Sequence, residues 1–172
     1  MSPPSNAMPH EPRQTRLLRQ LLTERRSAAL GTLGDDGAPA VSMVPFAIDS
    51  AEGVLVLHVS ALAAHTAHMA SQPRVSLLVT AMEEAGQPVH DLARVSIDAL
   101  AETPAPDSTA ATTAREAYLA RFPEAEFMTE LPDFRFVVLR PQAARHVAGF
   151  GSARRVDAAE LQRVLRRAGD DA

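Results

Sequence analysis

Residues 57–80, LHVSALAAHTAHMASQPRVSLLVT, run from an apolar strand into a short polar helix, break at Pro73 and resume as a second apolar strand. The helix is expected from about Leu62 to Ser71, because proline cannot continue it and biases the residue before it toward extended backbone. Ser60, His65 and Thr66 stand where the strand gives way to the helix. A helix start presents unpaired N–H groups, and hydroxyls or an imidazole beside them suit an anion such as phosphate.

On the N-terminal side, residues 13–26 place Leu17, Leu18, Leu21 and Leu22 on one helical stripe, with arginines off it. Ala28 to Leu33 reads as a strand, stopped by Gly34-Asp35-Asp36-Gly37, a hairpin signal. Ala40 to Ile48 reads as one strand, apolar on both faces except at Ser42, and Val54 to Val59 as the next. On the C-terminal side, Arg74 to Thr80 is a strand, and Leu92 to Ala101 alternates cleanly. Val95, Ile97 and Ala99 share one face; Arg94, Ser96 and Asp98 share the other. A helix capped by Asp107 or Ser108 runs to about Phe122 and a short one spans Glu124 to Glu130. Phe134 to Leu139 and Ala144 to Phe150 are the last two strands, and Asp157-x-x-Glu160 opens a C-terminal helix as a capping box.

Strands in hairpin-like succession, interrupted by short helices and without βαβ alternation, point to a mainly β, α+β fold. The architecture expected is an antiparallel six- to seven-stranded barrel of Greek-key type with flanking helices. Residues 12–172 form a single domain in this reading, after a polar, proline-rich N-terminus expected to be disordered over 1–11.

The 172 residues carry a net charge of −4, which disfavours nucleic acid as a partner. Every one of the 17 basic residues is Arg, so an anion must be held by Arg, His, hydroxyls or backbone N–H groups. Cysteine is absent, which removes disulfides and thiolate metal sites. No apolar run approaches the roughly 18 residues of a bilayer span, and no signal core precedes the domain, so the expectation is a cytoplasmic protein without membrane partners.

His65 and His68 lie three apart on the short helix, but a zinc site needs about three protein ligands and no third is near in sequence, so no metal is expected. Arg94 either pairs with a strand neighbour on the surface or contacts an anion or ring on the outer wall of the barrel. Gly149-Phe150-Gly151, after His146, reads as a turn or bulge, or as a loop whose backbone can approach a flat ligand. No dinucleotide or P-loop motif and no GxSxG occurs. No residue is singled out as catalytic.

Four stretches, SAALGTLGDDGAPAVSMVPFAI (27–48), LHVSALAAHTAHMASQPRVSLLV (57–79), ARVSIDALAET (93–103) and ARHVAGFGSARRV (144–156), resemble in order and spacing the pyridoxamine 5′-phosphate oxidase-like FMN-binding split barrel. Within that superfamily the closest resemblance is to the haem-utilisation (HugZ-like) branch. The resemblance implies a homodimer with FMN at the subunit interface, on the outside of the barrels. Val41, Ser42, Met43 and Val44 would run beside the flavin ring. His58, Val59, Ser60, His65 and Thr66 would hold the phosphate, and Arg94 would reach the cofactor from the partner subunit. The oxidase has an Arg-Lys pair at the helix start, where this chain has Ala64 and His65.

By resemblance the function is that of an FMN-dependent oxidoreductase on an unidentified small substrate. The alternatives are a haem-binding or haem-utilisation protein on the same scaffold and a non-enzymatic flavin-binding module. For haem, the GFG segment (Gly149, Phe150) would be the ligand loop and His146 the nearest candidate axial ligand.

Overall fold

The computed structural model describes residues 11–171. The N-terminal stretch expected to be disordered lies outside the described residues, apart from Glu11, which accepts a two-pronged ion pair from Arg19. Helix α1 (Arg13–Glu24) buries Leu18, Leu21 and Leu22, the stripe legible in its spacing. Strands β1 (Ser27–Leu33) and β2 (Pro39–Pro45) form the hairpin, with Gly37 taking the positive φ of 79° that its turn requires.

The run read as one strand over Ala40 to Ile48 is two. β2 ends at Pro45, Phe46 turns inward with 0% exposure, and β3 (Ala47–Asp49) pairs with β4 (Val54–Ser60) instead. Helix α2 (Ala64–Ser71) and strand β5 (Arg74–Thr80) follow, the helix stopping before Pro73 as expected. After β6 (Arg94–Glu102), Ser108 caps α3 (Thr109–Arg121) by accepting from the Ala111 N–H at 3.2 Å.

The two strands expected at 134–139 and 144–150 are one, β7 (Phe134–Val147). Pro141 does not break it because β4 pairs only as far as Leu139, while β8 (Ala153–Asp157) takes over at Ala143. Its other edge lies opposite the register shift between Asp98 and Ala99. A proline is tolerated where a ladder bond is already missing. β8 was not anticipated, and it raises the count to eight strands among the described residues, against the six or seven expected. Helix α4 (Ala158–Arg167) starts from Asp157, whose carboxylate accepts from the Glu160 N–H. The reciprocal half of the capping box is not made; Glu160 turns instead to Arg154 and Thr15.

The sheet is antiparallel in the order β2-β1-β5-β6-β7-β4-β3, with β8 on β7. It curls, and its two end strands, β2 and β3, are neighbours in the chain joined through Phe46. Its concave face holds the main core, capped by α1 and α4 through Leu18, Leu22, Leu161 and Leu165. A second cluster lies outside the curl, where Tyr118 of α3 and Phe122 just after it cover Val54, Val56 and Val138. β4 is therefore buried on both faces, which accounts for the continuous apolar run from Val54 to Leu57. Among the described residues no helix is long and apolar enough to cross a membrane.

Candidate functional site

The start of α2 gathers several of the expected residues. His65 Nδ1 lies 3.2 Å from Ser42 Oγ, which joins the helix to β2. Burial, and then the neighbouring His68, lower the proton affinity of His65, so the ring is neutral at neutral pH. The hydroxyls are already committed. Thr66 donates to the Ser60 carbonyl at 2.6 Å, and Ser60 donates to the Asp133 carboxylate at 2.9 Å. His68, one turn on, reaches Thr32 Oγ1 at 3.0 Å. The Ser60 and Thr66 hydroxyls of the corner are thus satisfied internally, with an acid at its edge.

On β2, Val41 and Met43 are 75% and 73% exposed, while Val44 packs into the core. The β2 outer face is therefore an apolar strip on an end strand of the sheet. His58 and Val59 point in opposite directions from β4. Val59 joins the main core, whereas His58 sits among Tyr118, Phe134 and Phe136 beneath α3. Neither side chain shares the corner with His65.

Arg94 lies elsewhere, as the alternation of β6 requires. Its Nη1 donates to the Leu92 carbonyl at 2.9 Å, which holds the side chain along its own strand. Ser96 sits opposite Arg145, so two guanidinium groups come to one face of the β6–β7 pair. With His90, Phe150 and Ser152 they line a cleft of about 360 Å³. Phe150 stands 84% exposed at its rim, between Gly149 and Gly151, both at positive φ. The structure therefore unites two features that were separate in the sequence, the outward Arg94 and the Gly-Phe-Gly turn.

His146 is not in this cleft. One residue along β7 from Arg145, it points the other way, is 1% exposed, and neither ring nitrogen finds a partner among the described residues. Its ring therefore lies on the other side of β7 from the cleft. The cleft residues that sequence reasoning passed over are His90, Arg145 and Ser152. Arg145 was findable, since it precedes His146 in the quoted stretch and falls in phase with the outward side chains of β7. His90 lies on a single 3₁₀ turn, Val89–Asp91, with no periodicity to mark it.

Compared with known proteins, residues 15–148 match the family model described as pyridoxamine 5′-phosphate oxidase. The chain belongs to this family. Its match within the pyridoxamine 5′-phosphate oxidase family runs from α1 to the end of β7. Over 151 residues it is 33% identical to the chloroplastic non-canonical heme oxygenase HOZ of Arabidopsis thaliana, covering 84% of this chain and 44% of that protein. It is 29% identical over 145 residues to heme oxygenase HutZ of Vibrio cholerae, covering 84% of this chain and 81% of that protein. The structure of a heme binding protein from Mycobacterium smegmatis superposes with a TM-score of 0.79 at 28% identity, over 89% of this chain and 61% of that one. The chain thus spans less than half of HOZ and under two thirds of the mycobacterial protein.

Proposed function

We propose that this chain binds haem, and that haem rather than FMN is its main ligand, taken up for breakdown. The observation that carries the reading is a contrast between two sites. At the start of α2, where FMN of the wider family would place its phosphate, the Ser60 and Thr66 hydroxyls donate internally and His65 is neutral. The Asp133 carboxylate, held by Ser60, adds negative charge. These residues do not fit a phosphate dianion.

At the β6–β7 cleft the opposite holds. Arg94 and Arg145 offer two guanidinium groups to two propionates, Phe150 offers an exposed ring to a flat macrocycle, and His90 an imidazole to iron. The relatives named for haem support the same ligand. A cleft of about 360 Å³ accepts the propionate edge of a porphyrin and leaves the rest of the macrocycle to be covered. The homodimer implied by the resemblance supplies that cover in this proposal, with the exposed Val41 and Met43 strip of β2 as the apolar surface for the second copy.

The test is a haemin titration followed by absorption. A saturable, shifted Soret band is expected, together with its loss on addition of ascorbate in air if bound haem is broken down. A protein that gains melting temperature from FMN and neither shifts the haemin spectrum nor is stabilised by haemin would overturn the reading.

A further inference from the structure

Helix α3 leaves a gap over the convex side of the sheet. Between α3, the chain crossing from β6 and the first half of β7 lies a cavity of about 470 Å³, away from the β6–β7 cleft. His58 reaches it from β4. Its ring stacks on Phe136 with centroids 4.6 Å apart, and Phe134 lies 5.0 Å away. The residue is 7% exposed, and its Nδ1 is sealed with no hydrogen-bond partner among the described residues.

Burial lowers the proton affinity of His58, so the imidazole is neutral and carries one N–H. An orphaned N–H costs more than an orphaned lone pair, which puts the proton on Nε2 and leaves Nδ1 bare. Nε2–H is then the donor left to meet a partner. Arg115 from α3 brings a cation to the same cavity, whereas Arg135 on β7 falls in phase with Val137 and Leu139 and turns to the other face. Arg115 donates to Thr129 Oγ1 at 3.1 Å and to Glu130 at 3.2 Å. Glu130 is largely open to solvent, so this pair is weak and an incoming anion can exchange with it.

We propose that this cavity binds a small planar aromatic carboxylate. Its ring packs against Phe134 and Phe136, its carboxylate takes Arg115 in place of Glu130, and His58 donates to an acceptor on the ring or the carboxylate. The volume suits one or two fused rings. The site is independent of the haem reading, since the two sites share no lining residue.

The experiment is a titration of the full chain, labelled with ¹⁵N-histidine, with salicylate and with indole-3-carboxylate. A saturable shift of the His58 ring nitrogens is expected, with a Kd of about 0.1–1 mM for molecules of this size. Arg115→Gln, at a partly solvent-facing position, is expected to weaken binding about tenfold. Benzamidine, a planar cation, is expected not to bind. No saturable His58 shift with either acid, or an affinity in Arg115→Gln equal to that of the unsubstituted chain, overturns the proposal. Haemin titrated into Arg115→Gln and His58→Phe is expected to bind as it does to the unsubstituted chain, so failure here and failure of the haem reading are separable.

Discussion

Replacing His146 by Leu is expected to remove an acid sensitivity built into the core. His146 lies on β7 between Val95 and Arg154 of the flanking strands, 1% exposed and unpartnered at both nitrogens among the described residues. Burial, and then the charge of Arg154, push its pKa from 6.5 down to about 4, with Glu160 pulling the other way. The folded pKa lies below the unfolded one, so the unfolded chain takes up the proton first as pH falls. Stability from this residue is therefore level above about pH 6.5 and declines from there to about pH 4. At 1.36 kcal/mol per pKa unit the loss is about 1.4 kcal/mol at pH 5.5 and about 2.5 kcal/mol at pH 4.5. Leucine has similar volume and no proton to gain, and it spares two buried nitrogens their missing partners. Urea unfolding of both proteins at about pH 7.5, 5.5 and 4.5 gives the comparison, since the titrations of His58 and His65 are common to both and cancel. The variant should lead at neutral pH and widen its lead by about 2.5 kcal/mol at the lowest pH. A lead that stays constant with pH refutes the reasoning.

Three further outcomes are expected. Glu160→Gln breaks the two-pronged contact with Arg154 and alters the bond from Thr15, which together tie β8, α4 and α1. It should lower stability by about 1–2 kcal/mol at neutral pH. Because Arg154 holds the Glu160 carboxyl below its usual range, that contribution in the unsubstituted chain is present above about pH 4.5 and fades as pH falls through the lowered value. Asp157→Ala removes the cap on α4 and should cost about 1 kcal/mol, seen as a lower Tm in thermal unfolding followed by circular dichroism. Arg94→Gln with Arg145→Gln should weaken haemin binding by about tenfold or more without changing the urea midpoint, since both side chains face the cleft; unchanged haemin affinity would detach the ligand from that cleft.

Most elements were legible because periodicity and stop signals coincide. The Gly34–Gly37 hairpin, the Pro73 break and the β6 alternation appear in the structure as read, and of the α1 stripe Leu18, Leu21 and Leu22 are buried while Leu17 stays partly exposed. What was not legible depends on the tertiary partner of each strand. Nothing local in Ala40 to Ile48 distinguishes Val41 and Met43, which end exposed, from Phe46 and Ala47, which end buried. Pro141 reads as a break, and only the changeover from β4 to β8 along that edge makes it harmless. β8 is hidden because ARRVD is short and charged and its pairing comes from β7. At the candidate sites, the outward Arg94 followed from alternation, but its meeting with Arg145 needed the β6–β7 register. The fates of His58 and His146 turned on which side of a doubly covered sheet each faces.

Strand β7 has a consequence for synthesis. Before it emerges, the chain holds two separate pieces of sheet, β2-β1-β5-β6 and the β3–β4 hairpin, and β7 is the only link between them in the ladder among the described residues. Until then β4 and β6 each present an open, apolar edge, the kind that recruits strands from other chains. A nascent chain stalled ahead of residue 134 is therefore the form of this protein most in need of a chaperone, and slow translation of 103–133 would prolong the exposure.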